Sequence, residues 1–316
     1  MYLLTWHITI GKFRVQTLKS VKITTSVLNL SDTAVIEMPG QYLNTWLDIE
    51  KKIAVGDAVS IALGYDGNNQ SVFNGYLKRI SRDSNSLKLE CEDSLYLLYK
   101  SIADKEYKQV TVTALLKDIL RQVDTRFTVD CDYEYTMEKL VAFHTTALDV
   151  VKKIQSETKA NIWFENTTLH VHPVYSERAG ETPELFDTQI NVQKNDLKWI
   201  DQADKKVQIE VVYNKPDGEK EKETYGTEGG EKITKYVSGN NSSEMKTVAE
   251  NEYNLWNYSG FEGSFTAWLI PRVTAGGSVR LRDNGRPEGK YYVTGVEIEF
   301  GQSGAKQIIT LGRKLD

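Results

Sequence analysis

The chain has 316 residues, of which 40% are hydrophobic and 26% charged, with a formal net charge of -5; that is enough apolar material for two or three cored domains. Interspersed charges give no basic footprint for specific nucleic-acid binding, and no run reaches the roughly eighteen apolar residues of a membrane span. The opening Met1-Tyr2-Leu3-Leu4-Thr5-Trp6-His7 lacks a charged leader segment and cleavage site, so synthesis and retention in the cytoplasm are expected, and Cys91 and Cys131 are expected to be reduced thiols, their spacing matching no metal site.

In chain order, Lys22 to Leu30 and Asp32 to Gly40 alternate apolar with polar residues between turn signals, as half-buried strands do. Ala58 to Tyr65 and Val72 to Ile80 flank Asp66-Gly67-Asn68-Asn69, which predicts a tight hairpin. Ser86 to Cys91 reads as a further strand. So many short antiparallel strands within residues 1–102 predict a small barrel, since closure removes exposed edges.

The period then changes. Val112, Leu115, Leu116, Ile119, Leu120 and Val123 form one helical stripe, with Thr111 as N-cap. A second helix is expected from Thr146 to about Thr158, capped by Thr145 or Thr146, followed by a hairpin of Asn161–Glu165 and Thr168–Pro173 around Asn166-Thr167. Residues 103–184 therefore read as an α/β insertion, ended by the turn-rich segment 176–183. Residues 185–316 return to β structure. Lys206 to Tyr213 alternates as a strand; Lys215 to Glu231, with the run Glu219-Lys220-Glu221-Lys222-Glu223, reads as a solvated hairpin loop. A strand at 233–237, a helix at 243–256 and a last strand at 306–312 complete the expectations.

One phrase occurs twice. Val55-Gly56-Asp57-Ala58-Val59-Ser60-Ile61 returns as Ala275-Gly276-Gly277-Ser278-Val279-Arg280-Leu281, and Gly75 and Gly295 each follow nineteen residues after the first glycine. Self-similarity over this distance implies one β unit used twice. The fold class expected is thus α+β, mainly β: two similar small antiparallel β-barrels flanking the insertion. Gly56, Val59, Ile61, Gly75, Tyr76, Arg79, Gly276, Val279, Arg280, Leu281 and Gly295 are the residues expected to supply barrel cores and assembly contacts.

The order of these parts resembles the phage baseplate hub family, whose relatives include late control protein D and the hub portion of type VI secretion spike proteins. Ser31 to Pro39, Gly56 to Tyr65 and Val72 to Tyr76 are similar to that family's first barrel; Ala147 to Ile154 with Ile162-Trp163-Phe164 and Leu169-His170-Val171 to its helix and hairpin; and Pro271 to Leu281 with Gly289 to Val293 to its second barrel. The resemblance implies a non-enzymatic virion protein that forms a homotrimer. Its six β units would make a pseudo-sixfold ring joining a sixfold tail tube to a threefold spike, with DNA or effectors passing through the centre. Tail tube or distal tail proteins, other baseplate proteins and a separate spike protein are the implied partners, the spike because this sequence ends at Asp316 without a needle domain.

Other chemistry is thinly supported. His170 and His172 lie two apart on a predicted strand and supply two metal ligands at most, short of the three or four such sites use, and no other cofactor is indicated. Nucleophile-elbow, HExxH and Walker A patterns are absent; His144-Thr145-Thr146, the glycine-rich 225–230 and the pairs Glu90/Glu92 and Glu297/Glu299 have structural readings as well. A carbohydrate- or peptide-binding tail-tip module is the alternative, for which Trp163, Trp256, Tyr258, Phe261 and Trp268 would form an aromatic platform.

Overall fold

The computed structural model describes residues 2–316 apart from 43–44, 47–48, 84, 133–135, 159, 174, 177–181, 215–218 and 238–241; parts of the segments expected at 176–183 and 215–231 lie outside the described residues. The N-terminal part contains β1 (Leu4–Ile10), β2 (Phe13–Arg14), β3 (Ser20–Ser26), β4 (Thr33–Pro39), the short β5 (Gln41–Tyr42) and β6 (Thr45–Trp46), β7 (Ala58–Tyr65), β8 (Asn68–Arg82) and β9 (Ser86–Glu92). Alternation dictates which side of each strand is buried: β4 turns Ala34, Ile36 and Met38 inward, and β7 turns Val59, Ile61 and Leu63 inward. Asp66 and Gly67 both have positive φ and close the β7–β8 hairpin at Tyr65 opposite Asn68, the two-residue turn their types favour.

The middle part contains β10 (Lys105–Thr111), α1 (Val112–Val123), β11 (Thr128–Cys131), β12 (Thr136–Ala142), α2 (Ala147–Thr158), β13 (Asn161–Glu165) and β14 (Thr168–His172). Thr111 caps α1 through Ala114 N–H at 3.2 Å, and the stripe Val112, Leu115, Leu116, Ile119 and Leu120 is buried. It packs with Leu148, Val151 and Ile154 of α2 on the inner face of the three-stranded sheet β11-β14-β13. Leu95 and Leu98, on a 3-10 turn after β9, belong to the same core.

The C-terminal part contains β15 (Glu184–Asp187), β16 (Val192–Ile200), β17 (Val207–Asn214), β18 (Lys220–Gly226), β19 (Glu231–Val237), α3 (Ser242–Trp256), β20 (Gly260–Trp268), β21 (Ser278–Asp283), β22 (Arg286–Gly301) and β23 (Gly304–Lys314). The charged run expected as a loop is largely strand β18. Its Glu/Lys alternation has the strand period, and Lys222 of β18 and Lys232 of β19 approach the buried Glu210 of β17 at 3.4 and 2.7 Å. Nor is 225–230 a hairpin tip: β18 and β19 flank β17, so the connection crosses over the start of β17, held by Thr227 N–H on Val207 O at 2.8 Å and Glu231 N–H on Lys206 O at 2.8 Å. These strands and α3 share a small core of Val207, Ile209, Val211, Met245 and Ala249.

The mainly β, α+β class is as expected, but the described strands form no closed barrel. Thirteen of them join in one sheet along the path β16-β20-β23-β22-β3-β4-β9-β8-β7-β1-β2, with β21 beside β22 and β15 beside β21. The cause is the length of β22. Its first half pairs with β21, while its second half lies between β23 and β3, from Gly295 opposite Ser26 to Gly301 opposite Ser20. A single apolar core follows the sheet through both parts, from Ile8, Ile36 and Leu77 to Phe265, Leu281 and Ile309.

Candidate functional site

The two copies of the repeated phrase occupy matching places. Gly56 (φ +94°) and Gly276 (φ +84°) both adopt the left-handed conformation that side chains resist. Each turns the chain into the outer strand of a meander, β7-β8-β9 or β21-β22-β23, and donates its N–H to the second strand, at Leu77 O (2.8 Å) or Val293 O (2.9 Å). The second glycines part company. In the first meander Val59 faces Gly75 and Ile61 faces Phe73; in the second Val279 faces Tyr291 and Leu281 faces Gly289, because the hairpin turns sooner, at Asn284-Gly285. Gly295 lies further along β22, opposite Ser26 of β3 and Thr310 of β23. A Cβ at Gly75 would come within 2.2 Å of Glu92 O and 2.8 Å of the Phe73 ring, whereas one at Gly295 would meet Thr25 O at 3.2 Å.

Val59, Ile61, Val279 and Leu281 are fully buried in the shared core, so these four stabilise the units and present no contact surface. Tyr76 is half-buried and stacks on Tyr96 with ring centroids 5.7 Å apart. Arg79 and Arg280 are exposed. Arg79 makes a two-pronged contact with Glu90 (3.0 and 2.6 Å), which holds that carboxyl below its usual range, and Arg280 reaches Glu288 at 3.2 Å. The other carboxylates of the paired sets are also engaged: Glu92 with Lys78 (2.9 Å), Glu297 with Lys22 (2.8 Å) across the β3–β22 seam, and Glu299 with Lys306 (2.8 Å). Structural ion pairs therefore account for them without catalysis.

Where the three parts meet lies a cavity of about 220 Å³, lined by Ser26, Asp32, Phe73, Asp93, Trp163, Glu165, Arg272 and Thr274 among others. Asp93 caps its 3-10 turn through Leu95 N–H (2.9 Å) and accepts from Asp32 N–H (2.9 Å), while Asp32 accepts from Ser26 N–H (3.0 Å). Burial pushes Asp32 up to about 7 and Asp93 well above the carboxylate range. Ser94 Oγ donates to Asn166 O, and Asn74 Nδ2 donates to Asn166 Oδ1 at 2.9 Å, tying the β13–β14 turn to the N-terminal part. Neither aspartate was marked by sequence reasoning; the available signal was an acidic residue at a strand end, which also marks ordinary turns.

His170 and His172 share one face of β14 as expected, and Asp130 of β11 joins them. In His144-Thr145-Thr146 the hydroxyls serve the helix instead of a base: Thr146 Oγ1 donates to Asp149 Oδ2 (2.6 Å) and accepts from Asp149 N–H (3.2 Å), a reciprocal cap of α2. The five aromatics considered as a platform are dispersed. Trp163 is buried in a cluster on which Tyr175 packs, with Trp256 against Tyr175; Phe261 is buried in the main core on which Tyr258 packs under Lys205; and Trp268 is exposed on β20. Neither Cys91 nor Cys131 forms a disulfide, and burial pushes Cys91 up to about 12, which suits an inert core residue.

This architecture is that of known tail proteins. The chain is similar in structure to a tail protein of Neisseria meningitidis MC58 over 100% of its own length and 97% of the other's, with TM-score 0.69 and 16% identity. It is similar to the 43 kDa tail protein of prophage MuSo2 from Shewanella oneidensis over 99% and 98%, with TM-score 0.64 and 13% identity. An Escherichia coli component of the type VI secretion system, described as structurally similar to the T4 bacteriophage tail proteins gp27 and gp5, matches over 98% and 77%, with TM-score 0.61 and 11% identity. Residues 10–164 match the YQBQ-like family model, and no curated protein matches the sequence. The resemblance to the hub and tail family thus holds at the level of fold along the whole chain.

Proposed function

We propose that this chain is a structural hub protein of a phage tail or a phage-derived injection machine, acting without catalysis at the tail tip or baseplate. Three copies form a ring in which each supplies its two meanders, giving six similar units that adapt a sixfold tail tube to a threefold spike. Residues 1–102 and 185–316 build the ring wall, and residues 103–184 stand apart from it and meet neighbouring subunits or other baseplate proteins. Tube or distal tail proteins and a separate spike protein bind its two ends.

The observation that carries this reading is the meander pair β7-β8-β9 and β21-β22-β23, joined in one sheet through β4 and β3, which lie between β9 and the far half of β22. Two related units fixed relative to one another within a chain are what a threefold assembly needs to imitate sixfold symmetry. The tail-protein folds matched over nearly the whole chain support the same reading. The dispersed aromatics count against a carbohydrate- or peptide-binding module, which needs a gathered platform.

Electron microscopy of the purified full chain tests the proposal. Ring-shaped averages with three strong and six weaker repeats are expected; compact particles without rotational order, at concentrations where the chain is associated, would count against it.

A further inference from the structure

The outer face of the β11-β14-β13 sheet carries a cluster that the hub reading leaves without a task. Asp130 stands directly opposite His170 in the parallel β11–β14 pair, and Trp163 stands opposite His170 in the antiparallel β13–β14 pair. Because side chains alternate across a strand, His172 shares this face, while Leu169 and Val171 enter the core behind it.

The three inward atoms form a nearly regular triangle. Asp130 Oδ2 lies 3.1 Å from His170 Nδ1 and 3.6 Å from His172 Nε2, and the two nitrogens are 3.4 Å apart. A tetrahedral ion with bonds of about 2.0–2.1 Å needs its ligand atoms about 3.3–3.4 Å from one another. The triangle therefore has the size of one face of such a tetrahedron.

The outward nitrogens are also provided for. His170 Nε2 faces Glu165 at 3.4 Å, and His172 Nδ1 lies 2.8 Å from Asp132. A carboxylate on the far nitrogen of each imidazole fixes the tautomer and raises the basicity of the near nitrogen, as metal-binding histidines require. With their hydrogens held outward, the near nitrogens and the Asp130 oxygen are all acceptors. Three acceptors this close repel unless a proton or a metal cation sits among them.

We propose that Asp130, His170 and His172 bind a first-row divalent transition ion, zinc by preference, with water in the fourth position and Glu165 and Asp132 as outer carboxylates. Two imidazoles and one carboxylate suit zinc and disfavour magnesium and calcium, which take oxygen donors. The histidines are mostly buried, with side chains 13% and 16% exposed, whereas Asp130 is 58% exposed, so the site opens to solvent on one side and an ion can enter. Its effect is structural. The ion ties β11 to β14 beside Trp163, which stacks on His170 with centroids 5.2 Å apart, and Trp163 and Glu165 line the junction cavity. A metal there would stiffen the sheet through which the insertion meets the rest of the chain.

The test is calorimetric titration of the full chain, without an affinity tag of histidines and stripped by chelator, with zinc chloride and in parallel with magnesium chloride. Saturable binding of one zinc per chain is expected, with a raised unfolding midpoint and, on cobalt substitution, the visible absorption of a four-coordinate centre. His172→Ala and Asp130→Asn should abolish these signals, Asp132→Asn should weaken binding by about 10–100-fold, and His144→Ala should leave it unchanged. Asp130 is exposed, so Asp130→Asn should retain the metal-free unfolding midpoint of the parent and separates lost binding from lost folding. Absence of saturable zinc binding, equal binding of magnesium, or unchanged affinity in both His172→Ala and Asp130→Asn would overturn the proposal.

Discussion

The meanders β7-β8-β9 and β21-β22-β23 begin alike and are used differently. Both start at a left-handed glycine that donates to the second strand, and both turn alternate apolar residues into one core. In the first, β8 spends its length on its own neighbours β7 and β9; in the second, β22 outruns the shorter β21 and lends its far half to β3. A repeated unit can thus be complete in one copy and serve as the bridge in the other. What decides the role of a glycine is the strand that lies against it, not its distance from the preceding one.

Six substitutions test how far the two meanders differ. Gly75→Ala forces a Cβ onto the Glu92 carbonyl at 2.2 Å and should destabilise the chain by about 3–4 kcal/mol in a denaturant titration, since backbone blocks relaxation. Gly295→Ala, with its nearest neighbour at 3.2 Å, should cost about 1 kcal/mol or less. Equal losses at the two sites would mean that the glycines are equivalent after all.

The next largest effect concerns the junction. With Asp32 pushed up by burial from 3.8 to about 7, the folded chain holds more protons than the unfolded one between about pH 4 and 7, so stability falls as pH rises through that window. Asp32→Asn keeps an acceptor for Ser26 N–H and removes the charge. It should be more stable than the parent by about 2 kcal/mol at pH 8, and the difference should vanish near pH 4. A constant difference across this range would show that Asp32 does not titrate in the junction as described.

Lys22→Glu places a like charge across the seam opposite Glu299 and beside Glu297, the present partner of Lys22, and should lower stability by up to about 1 kcal/mol, an effect reduced by salt because the pair is partly exposed. The smallest effect on stability belongs to Arg79→Glu and Arg280→Glu, both exposed. Each should leave the unfolding midpoint nearly unchanged while weakening assembly in sedimentation. Unchanged assembly in both variants would remove those strands from the contact surface.

Much of this was legible in the sequence where the cause is local. The stripe of α1 and its Thr111 cap, the Thr146 cap of α2, the Asp66-Gly67 turn and the β13–β14 hairpin all follow from neighbouring residues. Long-range pairing was hidden. Nothing near Ser20–Ser26 says that its partner is Gly295–Gly301, and nothing near His170 says that Asp130 will lie opposite it. The nineteen-residue spacing of the glycines misled because an earlier turn at Asn284-Gly285 shifts the pairing of β21 with β22. The alternating charges of β18 look like a loop in sequence because their buried partner, Glu210, lies on another strand.

If one chain carries two units so that three chains act as six, native mass by light scattering across a concentration series will reveal it. A trimer of roughly 108 kDa is expected from chains of 35.9 kDa; a monomer at every concentration, or a stable dimer, would rule the trimeric hub out.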